Sequence, residues 1–381
     1  MADMGKRHSA ERIATGAQYI PAFDMLRAVA VAMVLYTHYL PEPYWLGGLY
    51  WGAVGVRFFF VLSGFLITGL LLDDTRLQAA PVAAWRHFLL ARMARLYPCL
   101  LVFLLAFAFL DGEEARWMVP SDALYLSNLR MLLLEDWGGR NAHLWSLAVE
   151  QQFYLVWPWM IALVPRRVLP IAICLTIAAA LAFRLGWSLA GLSPFGAYVL
   201  PLAYLDFLGI GALVAVALRS AVPRLVVAAG LLACWAAIWQ FPPPLALYSA
   251  EPWKLASACL YGAVIALCAR RFGPGPVGRL LEARPLVWVG RISYGIYMYH
   301  QIAPGILEHL SGKALTGPFT GLLCAAITLL LAAASHALVE QPIRRLIARR
   351  MPRPAAARTE TAATLAPGTA APSPDAGAAL P

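Results

Sequence analysis

Charged side chains inside apolar stretches of this 381-residue chain are the first candidates for chemistry, because an ionised group there is costly to bury. The first stretch contains Asp24, Arg27 and His38. Since 11 residues separate Arg27 from His38, about three helical turns, both lie on one helix face about 16 Å apart. A histidine there can act as a general base. The alternative is an Asp24–Arg27 ion pair at the membrane edge beside an interfacial histidine.

The fourth apolar stretch has a second polar face. Ser146, Glu150 and Tyr154 recur at every fourth position, so they project from one side of a helix. Glu150 is expected about two turns below the outer end, near the depth of His38. A His38–Glu150 pair would orient the imidazole and raise its basicity. The alternative is that Glu150 only bonds Arg57.

Arg92 and Arg95 lie three residues apart at the predicted cytoplasmic start of the third stretch. A pair with this spacing can grip a phosphate group bidentately. Basic residues at that position also follow the general charge bias of cytoplasmic flanks, and the pair alone favours this second interpretation.

A later stretch places Ser293, Tyr297 and His300 on one helix face. His300 is a rival general base, and a hydroxyl–imidazole network between helices is an equal alternative. Ser63-Gly64 in the second stretch predicts close helix packing.

The composition determines the class of protein. Hydrophobic residues make up 61% of the chain, charged residues 13%, and mean hydropathy is +0.67. A soluble domain is about 45–50% apolar and about 25% charged, so a soluble enzyme, a nucleic-acid-binding protein and a disordered chain are excluded. The net charge is +10, and the basic residues that produce it lie in short clusters between apolar runs, as in the flanks of membrane-spanning helices. The six cysteines lack ligand spacing, which predicts no metal site. We predict an all-α, polytopic protein embedded in a lipid bilayer.

Ten stretches are long enough for spanning helices of about 20 residues. The predicted spans are 22–40, 53–72, 88–110, 144–164, 168–185, 197–218, 222–240, 254–269, 286–309 and 317–338. With both termini cytoplasmic, 19 Lys and Arg fall on the inner side and 5 on the outer side, as the positive-inside rule requires.

The remaining segments have simple expected roles. Residues 1–21 form a cytoplasmic N-terminal segment, 22–346 the transmembrane domain, and 347–381 a disordered tail rich in Ala and Pro. In the longest outer connection, residues 121–134 are predicted to form an interfacial helix capped by Ser121.

Together these segments resemble the acyltransferase family 3 membrane proteins, which O-acylate polysaccharides, lipopolysaccharides and some small acceptors. The resemblance covers roughly 22–346. It rests on six motifs whose order and placement are specific: FDMLRAVAVAMVLYTH, FFFVLSGFLIT, RMARLYP, LWSLAVEQQFYLVWP, GRISYGIYMYH and EQPIRR.

The resemblance implies a ten-helix core and acyl-CoA as co-substrate, without a bound cofactor. It also implies an Arg27-x10-His38 motif with His38 catalytic, and contact of Arg92 and Arg95 with the donor. Many relatives carry a C-terminal hydrolase-like domain. Residues 347–381 are too few to form one, so we expect the chain to act alone on its acceptor.

The predicted function is transfer of an acyl group, expected to be acetyl, from cytoplasmic acyl-CoA to a hydroxyl of a carbohydrate or glycolipid at the outer side of the inner (cytoplasmic) membrane. The predicted catalytic residues are His38, Glu150, Arg27 and Asp24. The predicted substrate-binding residues are Arg92, Arg95, Ser146, Tyr154, Tyr297 and His300. The alternatives are a transporter or flippase, and an N-acetyltransferase acting on an amino sugar.

Overall fold

The computed structural model describes residues 19–40, 50–219, 251–269 and 275–350. Within these ranges every regular element is a helix, which confirms the all-α prediction. The helices are α1 (Pro21–Tyr39), α2 (Trp51–Asp73), α3 (Arg76–Ala79), α4 (Pro81–Leu110), α5 (Gly112–Ala123), α6 (Ser127–Leu134), α7 (Leu144–Leu163), α8 (Leu169–Leu189), α9 (Pro194–Val199), α10 (Leu205–Ala217), α11 (Glu251–Ala269), α12 (Pro276–Leu281), α13 (Arg284–Arg291), α14 (Ser293–Tyr299), α15 (Ile302–Ser311), α16 (Pro318–Ser335) and α17 (Gln341–Arg350).

In the described part of the chain, four helical runs are long and apolar enough to cross a membrane: α2, α4, α8 and the run Pro318–Ile347, which joins α16 to α17 through a π-helical turn. The predicted spans 22–40, 144–164 and 254–269 coincide with α1, α7 and α11 to within a few residues. The protein is therefore a helical membrane protein. The predicted span 222–240 lies outside the described residues, as do most of the N-terminal segment and the tail beyond residue 350. The ten-span count and the orientation of the termini stay predictions.

The predicted continuous span 197–218 is wrong. The chain forms α9, then a 3-10 turn over Pro201–Tyr204, then α10. Pro201 has no backbone N–H and cannot continue the α-helical ladder, so the helix restarts after it. Arg184 of α8 donates to the carbonyl of Ala203 in this turn and pairs with Asp206 at 2.7 Å, which fixes the break.

The predicted span 286–309 is also wrong as one helix, because it divides into α13, α14 and α15. Pro304 lacks the N–H that would otherwise bond the carbonyl of His300. The hydroxyl of Tyr39 on α1 donates to that carbonyl instead. The break therefore leaves His300 and Gln301 between two helices, with the exposed carbonyl satisfied from another helix.

Two smaller predictions also change. The helix predicted over 121–134 is interrupted, since α5 continues to Ala123 and Tyr125 adopts a left-handed backbone (φ 56°) before α6 begins. Ser121 caps no helix, and its hydroxyl donates to the carbonyl of Met118. The third span begins at Pro81 rather than 88, so Arg92 and Arg95 lie about three to four turns inside α4.

The helix α2 lies at the centre of the bundle, packed closely against α1 and α10. A side chain at Gly64 would collide with the carbonyl of Leu208, and one at Gly211 with the carbonyl of Val61. Small residues let neighbouring backbones approach in this way, which confirms the close packing predicted for Ser63-Gly64. This closely packed α2 forms one wall of a cavity, and α1, α4, α7 and α14 form the other walls.

Candidate active site

A cavity of about 110 Å³ lies between α1, α2, α4, α7 and α14. Its wall brings together seven of the predicted site residues: Arg27, Arg92, Arg95, Ser146, Glu150, Tyr154 and Tyr297. The remaining lining is largely apolar and includes Val56, Phe59 and Leu147. The helix spacing of the sequence therefore gathers most of the predicted polar residues into one space.

Arg27 enters this cavity with its charge already paired. Its Nη1 lies 2.5 Å from Oδ1 of Asp24, which confirms the ion pair considered from the sequence. Asp24 is buried and also accepts from the hydroxyl of Tyr19 at 2.6 Å, with Nε of Arg291 at 3.6 Å. Asp24 lies behind Arg27, outside the cavity wall, so it acts as an anchor for Arg27.

The other two arginines have no such partner. Among the described residues, neither Arg92 nor Arg95 forms an ion pair, and both line the cavity. The guanidinium of Arg92 lies over the ring of Tyr154 at 5.8 Å, a cation–π contact that holds it against α7. Since Asp24 balances the charge of Arg27, Arg92 and Arg95 face the single carboxylate of Glu150 and give the cavity a positive excess suited to an anionic ligand.

Glu150 does not contact His38. Its carboxylate accepts hydrogen bonds from the hydroxyls of Ser63 and Tyr154. The predicted His38–Glu150 pair is therefore wrong, because similar depth on two helices does not make their faces meet. Ser63, which the sequence assigns only to packing, is a further polar residue of the cavity wall.

Ser146 and Tyr297 join the cavity to a group of histidines. Their hydroxyls lie 2.7 Å apart, and both donate to the carbonyl of His143, Ser146 from 3.0 Å and Tyr297 from 3.2 Å. The ring of Tyr297 lies 5.5 Å, between centroids, from the rings of both His143 and His300. Tyr297 thus lines the cavity and also contacts the histidines with its ring.

The histidine cluster consists of His38, His143 and His300. The ring of His300 is completely buried, and its centroid lies 4.8 Å from those of both His38 and His143. His300 Nδ1 lies 2.6 Å from the carbonyl of Tyr297, so Nδ1 is the donor and Nε2 is left without a partner among the described residues. His38 is exposed at the end of α1 and does not line the cavity.

Two members of this arrangement were missed from the sequence. His143 precedes α7, and Gln301 follows His300 with its Nε2 3.1 Å from Nδ1 of His38. The one feature of the sequence that could have indicated His143 and Gln301 is that each lies next to a helix with predicted site residues. In the described part of the chain, no three His, Cys, Asp or Glu side chains are placed to hold a metal ion.

The arrangement has two chemical capabilities. The arginine-lined cavity can receive an anionic group, and Val56, Phe59 and Leu147 give it an apolar wall. The histidine cluster offers an imidazole that can accept a proton from a hydroxyl.

Comparison with known proteins identifies the family. The chain is 29% identical to the peptidoglycan O-acetyltransferase OatA of Listeria monocytogenes, over 86% of this chain and 56% of that protein. It is 30% identical to the putative peptidoglycan O-acetyltransferase YrhL of Bacillus subtilis, over 86% and 55%. The O-acetyltransferase OatA of Staphylococcus aureus is 34% identical over 40% of this chain and 26% of its own length.

The chain spans about half the length of the first two relatives. No solved structure matches it. The family described as an acyltransferase domain matches residues 20–337, which include every predicted site residue and the whole cavity wall. The chain therefore belongs to acyltransferase family 3, the family that its motifs resemble.

Proposed function

We propose that the protein transfers an acyl group, acetyl by similarity to the peptidoglycan O-acetyltransferases, from acyl-CoA to a hydroxyl of a cell-envelope carbohydrate. One observation carries this proposal. Arg92 and Arg95, which have no ion-pair partner among the described residues, share a cavity with Ser146 and Tyr297, and Tyr297 contacts the histidine cluster.

The cationic part of the cavity suits the donor. Acyl-CoA carries phosphates, which arginine binds bidentately, and a thin apolar arm that ends in the thioester. The cavity wall has residues of both kinds: Arg92 and Arg95 suit the phosphates, and Val56, Phe59 and Leu147 suit the apolar arm. We propose that the donor enters from the cytoplasm, in a topology of ten spans with both termini cytoplasmic, in the inner membrane.

The chemistry requires a base and a stabiliser of negative charge. In our mechanism, His38 removes the proton from the acceptor hydroxyl, the oxygen attacks the thioester carbonyl, and the carbon–sulfur bond breaks. CoA leaves as a thiolate and takes up the proton that His38 holds. Each of the hydroxyls of Tyr297 and Ser146 carries one proton, so in our mechanism one of them exchanges its bond to the His143 carbonyl for a bond to the developing oxyanion. Glu150 holds the hydroxyls of Ser63 and Tyr154 and balances the arginine charge.

The test uses the purified protein in lipid nanodiscs with labelled acetyl-CoA and soluble peptidoglycan fragments as the acceptor. His38→Ala is expected to lower acetyl transfer about 100-fold or more, the usual contribution of a general base. His309→Ala is the matched control, because His309 is exposed and lies outside the cluster.

Undiminished transfer by His38→Ala would overturn the proposed role. Retention of label on wild-type protein, lost in His38→Ala, would replace the general base with an acyl-His38 intermediate. Transfer to an amino sugar nitrogen in place of a hydroxyl would change the acceptor class.

A further inference from the structure

The contact between Gln301 and His38 joins two distant parts of the chain. His38 lies near the end of α1, and Gln301 lies in the break between α14 and α15. The amide nitrogen of Gln301 is 3.1 Å from Nδ1 of His38. This is the one hydrogen bond of the His38 ring among the described residues, so it decides which ring nitrogen remains available.

A hydrogen bond between Tyr39 and His300 connects the chain next to His38 with the chain next to Gln301. Tyr39, next to His38, donates to the carbonyl of His300, next to Gln301. The same hydroxyl lies 2.7 Å from Oγ1 of Thr328 on α16. Pro304 makes the carbonyl available by removing its usual backbone donor. The neighbours of both residues are therefore tied together, and the two side chains meet with little freedom to separate.

The position of Gln301 determines which nitrogen of His38 can react. A neutral imidazole has one N–H and one bare nitrogen. Because Gln301 occupies Nδ1, only Nε2 can face an acceptor hydroxyl, and Nε2 is a base only when Nδ1 carries the proton. The two ends of a glutamine amide have nearly the same shape, and turning the amide brings its oxygen to the same place.

We infer that Gln301 is a positioning residue that accepts the Nδ1–H of His38 through its amide oxygen and so leaves Nε2 as the base. The inference rests on the proposed function, since it deepens the role given to His38. A neutral amide orients the ring without placing a fixed negative charge beside it. The imidazolium formed by taking the acceptor proton therefore stays ready to give that proton to the CoA thiolate.

The surroundings of His38 support a neutral orienting group. Among the described residues, the titratable side chains that face it from neighbouring elements are His300 at the α14–α15 break and His143 before α7. Among the described residues no carboxylate contacts the ring, since Glu150 is held by Ser63 and Tyr154. Gln301 is thus the described residue placed to set the orientation of His38.

The experiment compares Gln301→Leu and Gln301→Glu in nanodiscs, with acetyl-CoA and peptidoglycan fragments, over a range of pH. Gln301→Leu is expected to lower kcat about tenfold or more, part of the usual general-base contribution, with the KM for acetyl-CoA unchanged. Gln301→Glu keeps an acceptor oxygen and is expected to retain kcat. The acidic limb of the kcat–pH profile of Gln301→Glu is expected to move to higher pH, because a carboxylate stabilises the imidazolium of His38.

The chain offers a matched control. Gln341 makes a similar contact, with its Nε2 3.0 Å from Nε2 of His336, away from the cavity. Gln341→Leu and Gln341→Glu are expected to leave kcat and the pH profile unchanged.

The possible failures can be told apart. If His38→Ala is inactive while Gln301→Leu keeps its kcat and Gln301→Glu keeps the wild-type pH profile, the inference is overturned and the proposed function stands. If His38→Ala is fully active, the proposed function fails and the inference with it. Should Gln301→Leu fail to fold, the pH profile of Gln301→Glu tests the same contact.

Discussion

The hydroxyl of Tyr297 lies 2.7 Å from that of Ser146, at the place where the arginine-lined cavity meets the histidines. The Tyr297 ring contacts His300, and the ring of His300 contacts His38. No histidine in the described part of the chain lines the cavity, so a donor held by Arg92 and Arg95 would have to extend past this pair of hydroxyls and past His300 to reach His38. The pair lies between the part of the site to which we assign donor binding and the part to which we assign proton removal.

Removing the Tyr297 hydroxyl tests this relationship. Tyr297→Phe is expected to lower kcat by about 100-fold, at the lower end of what one oxyanion donor contributes. The KM for acetyl-CoA is expected to change little. Tyr299→Phe is the control, since its hydroxyl bonds Ser335 at 2.8 Å and does not line the cavity. Equal losses in both variants would assign the effect to packing rather than to oxyanion stabilisation.

Glu150→Gln distinguishes the observed contacts from the pair predicted by the sequence. If Glu150 stabilised protonated His38, its removal would move the acidic limb of the kcat profile to lower pH. The observed partners are Ser63 and Tyr154, so we expect no such shift. We expect instead a changed KM for acetyl-CoA, because the Arg92 side of the cavity loses its balancing charge. A displaced acidic limb would contradict this geometry.

Arg92→Ala and Arg95→Ala are each expected to raise the KM for acetyl-CoA. A charge-assisted hydrogen bond contributes about 1.5–3 kcal/mol, which corresponds to roughly 10- to 100-fold in binding. The KM for the acceptor should not change, because neither arginine lies in the histidine cluster. Arg279→Ala is the control, since Arg279 is exposed on α12. A rise confined to the acceptor KM would place the donor elsewhere.

The pair Arg184–Asp206 is expected to matter for folding. Both side chains are buried, and Asp206→Asn would remove the carboxylate that pairs with Arg184, at a cost of about 3–5 kcal/mol in free energy of unfolding. The exposed pair Arg219–Asp73 has a similar distance of 2.6 Å. Asp73→Asn is expected to cost only about 0–1 kcal/mol. Thermal unfolding in detergent measures both, and equal losses would contradict the importance of burial.

Gly64→Ala tests the close approach at the centre of the bundle. Its methyl group would collide with the carbonyl of Leu208, and overpacking of this kind typically costs about 1–3 kcal/mol. Gly186→Ala is the control, because its methyl group would meet no atom within 4 Å and alanine favours a helix. We expect the first substitution to lower the thermal midpoint and the second to leave it unchanged or raise it. A stable Gly64→Ala protein would show that α2 and α10 can separate.

Hydrophobic length predicts most of the helices, since a spanning helix must satisfy its own backbone over about 20 residues. The fourfold spacing of Ser146, Glu150 and Tyr154 also predicts one face, and all three residues line the cavity. The sequence does not predict the helix breaks near Pro201 and Pro304. Each proline lacks a backbone N–H, so the helix is interrupted although the run of apolar residues is continuous.

The pairing of residues between helices is the least predictable feature. Depth along a helix placed His38 and Glu150 at similar levels, but rotation about the helix axis decides which residue each one meets. Gln301 was missed because it lies in the break between the helices α14 and α15, which hydropathy does not reveal. Ser63 was assigned to packing because a serine beside a glycine is typical of close helix contacts.

The hydroxyl of Tyr39 has a mechanical consequence. It replaces a missing amide as the donor to the carbonyl of His300, inside an apolar region. Separating α1 from the α14–α15 junction would strand that carbonyl, and an unsatisfied backbone group in such surroundings costs several kcal/mol. These elements are therefore expected to move together, and an opening that admits the proposed acceptor is expected between other helices of the bundle.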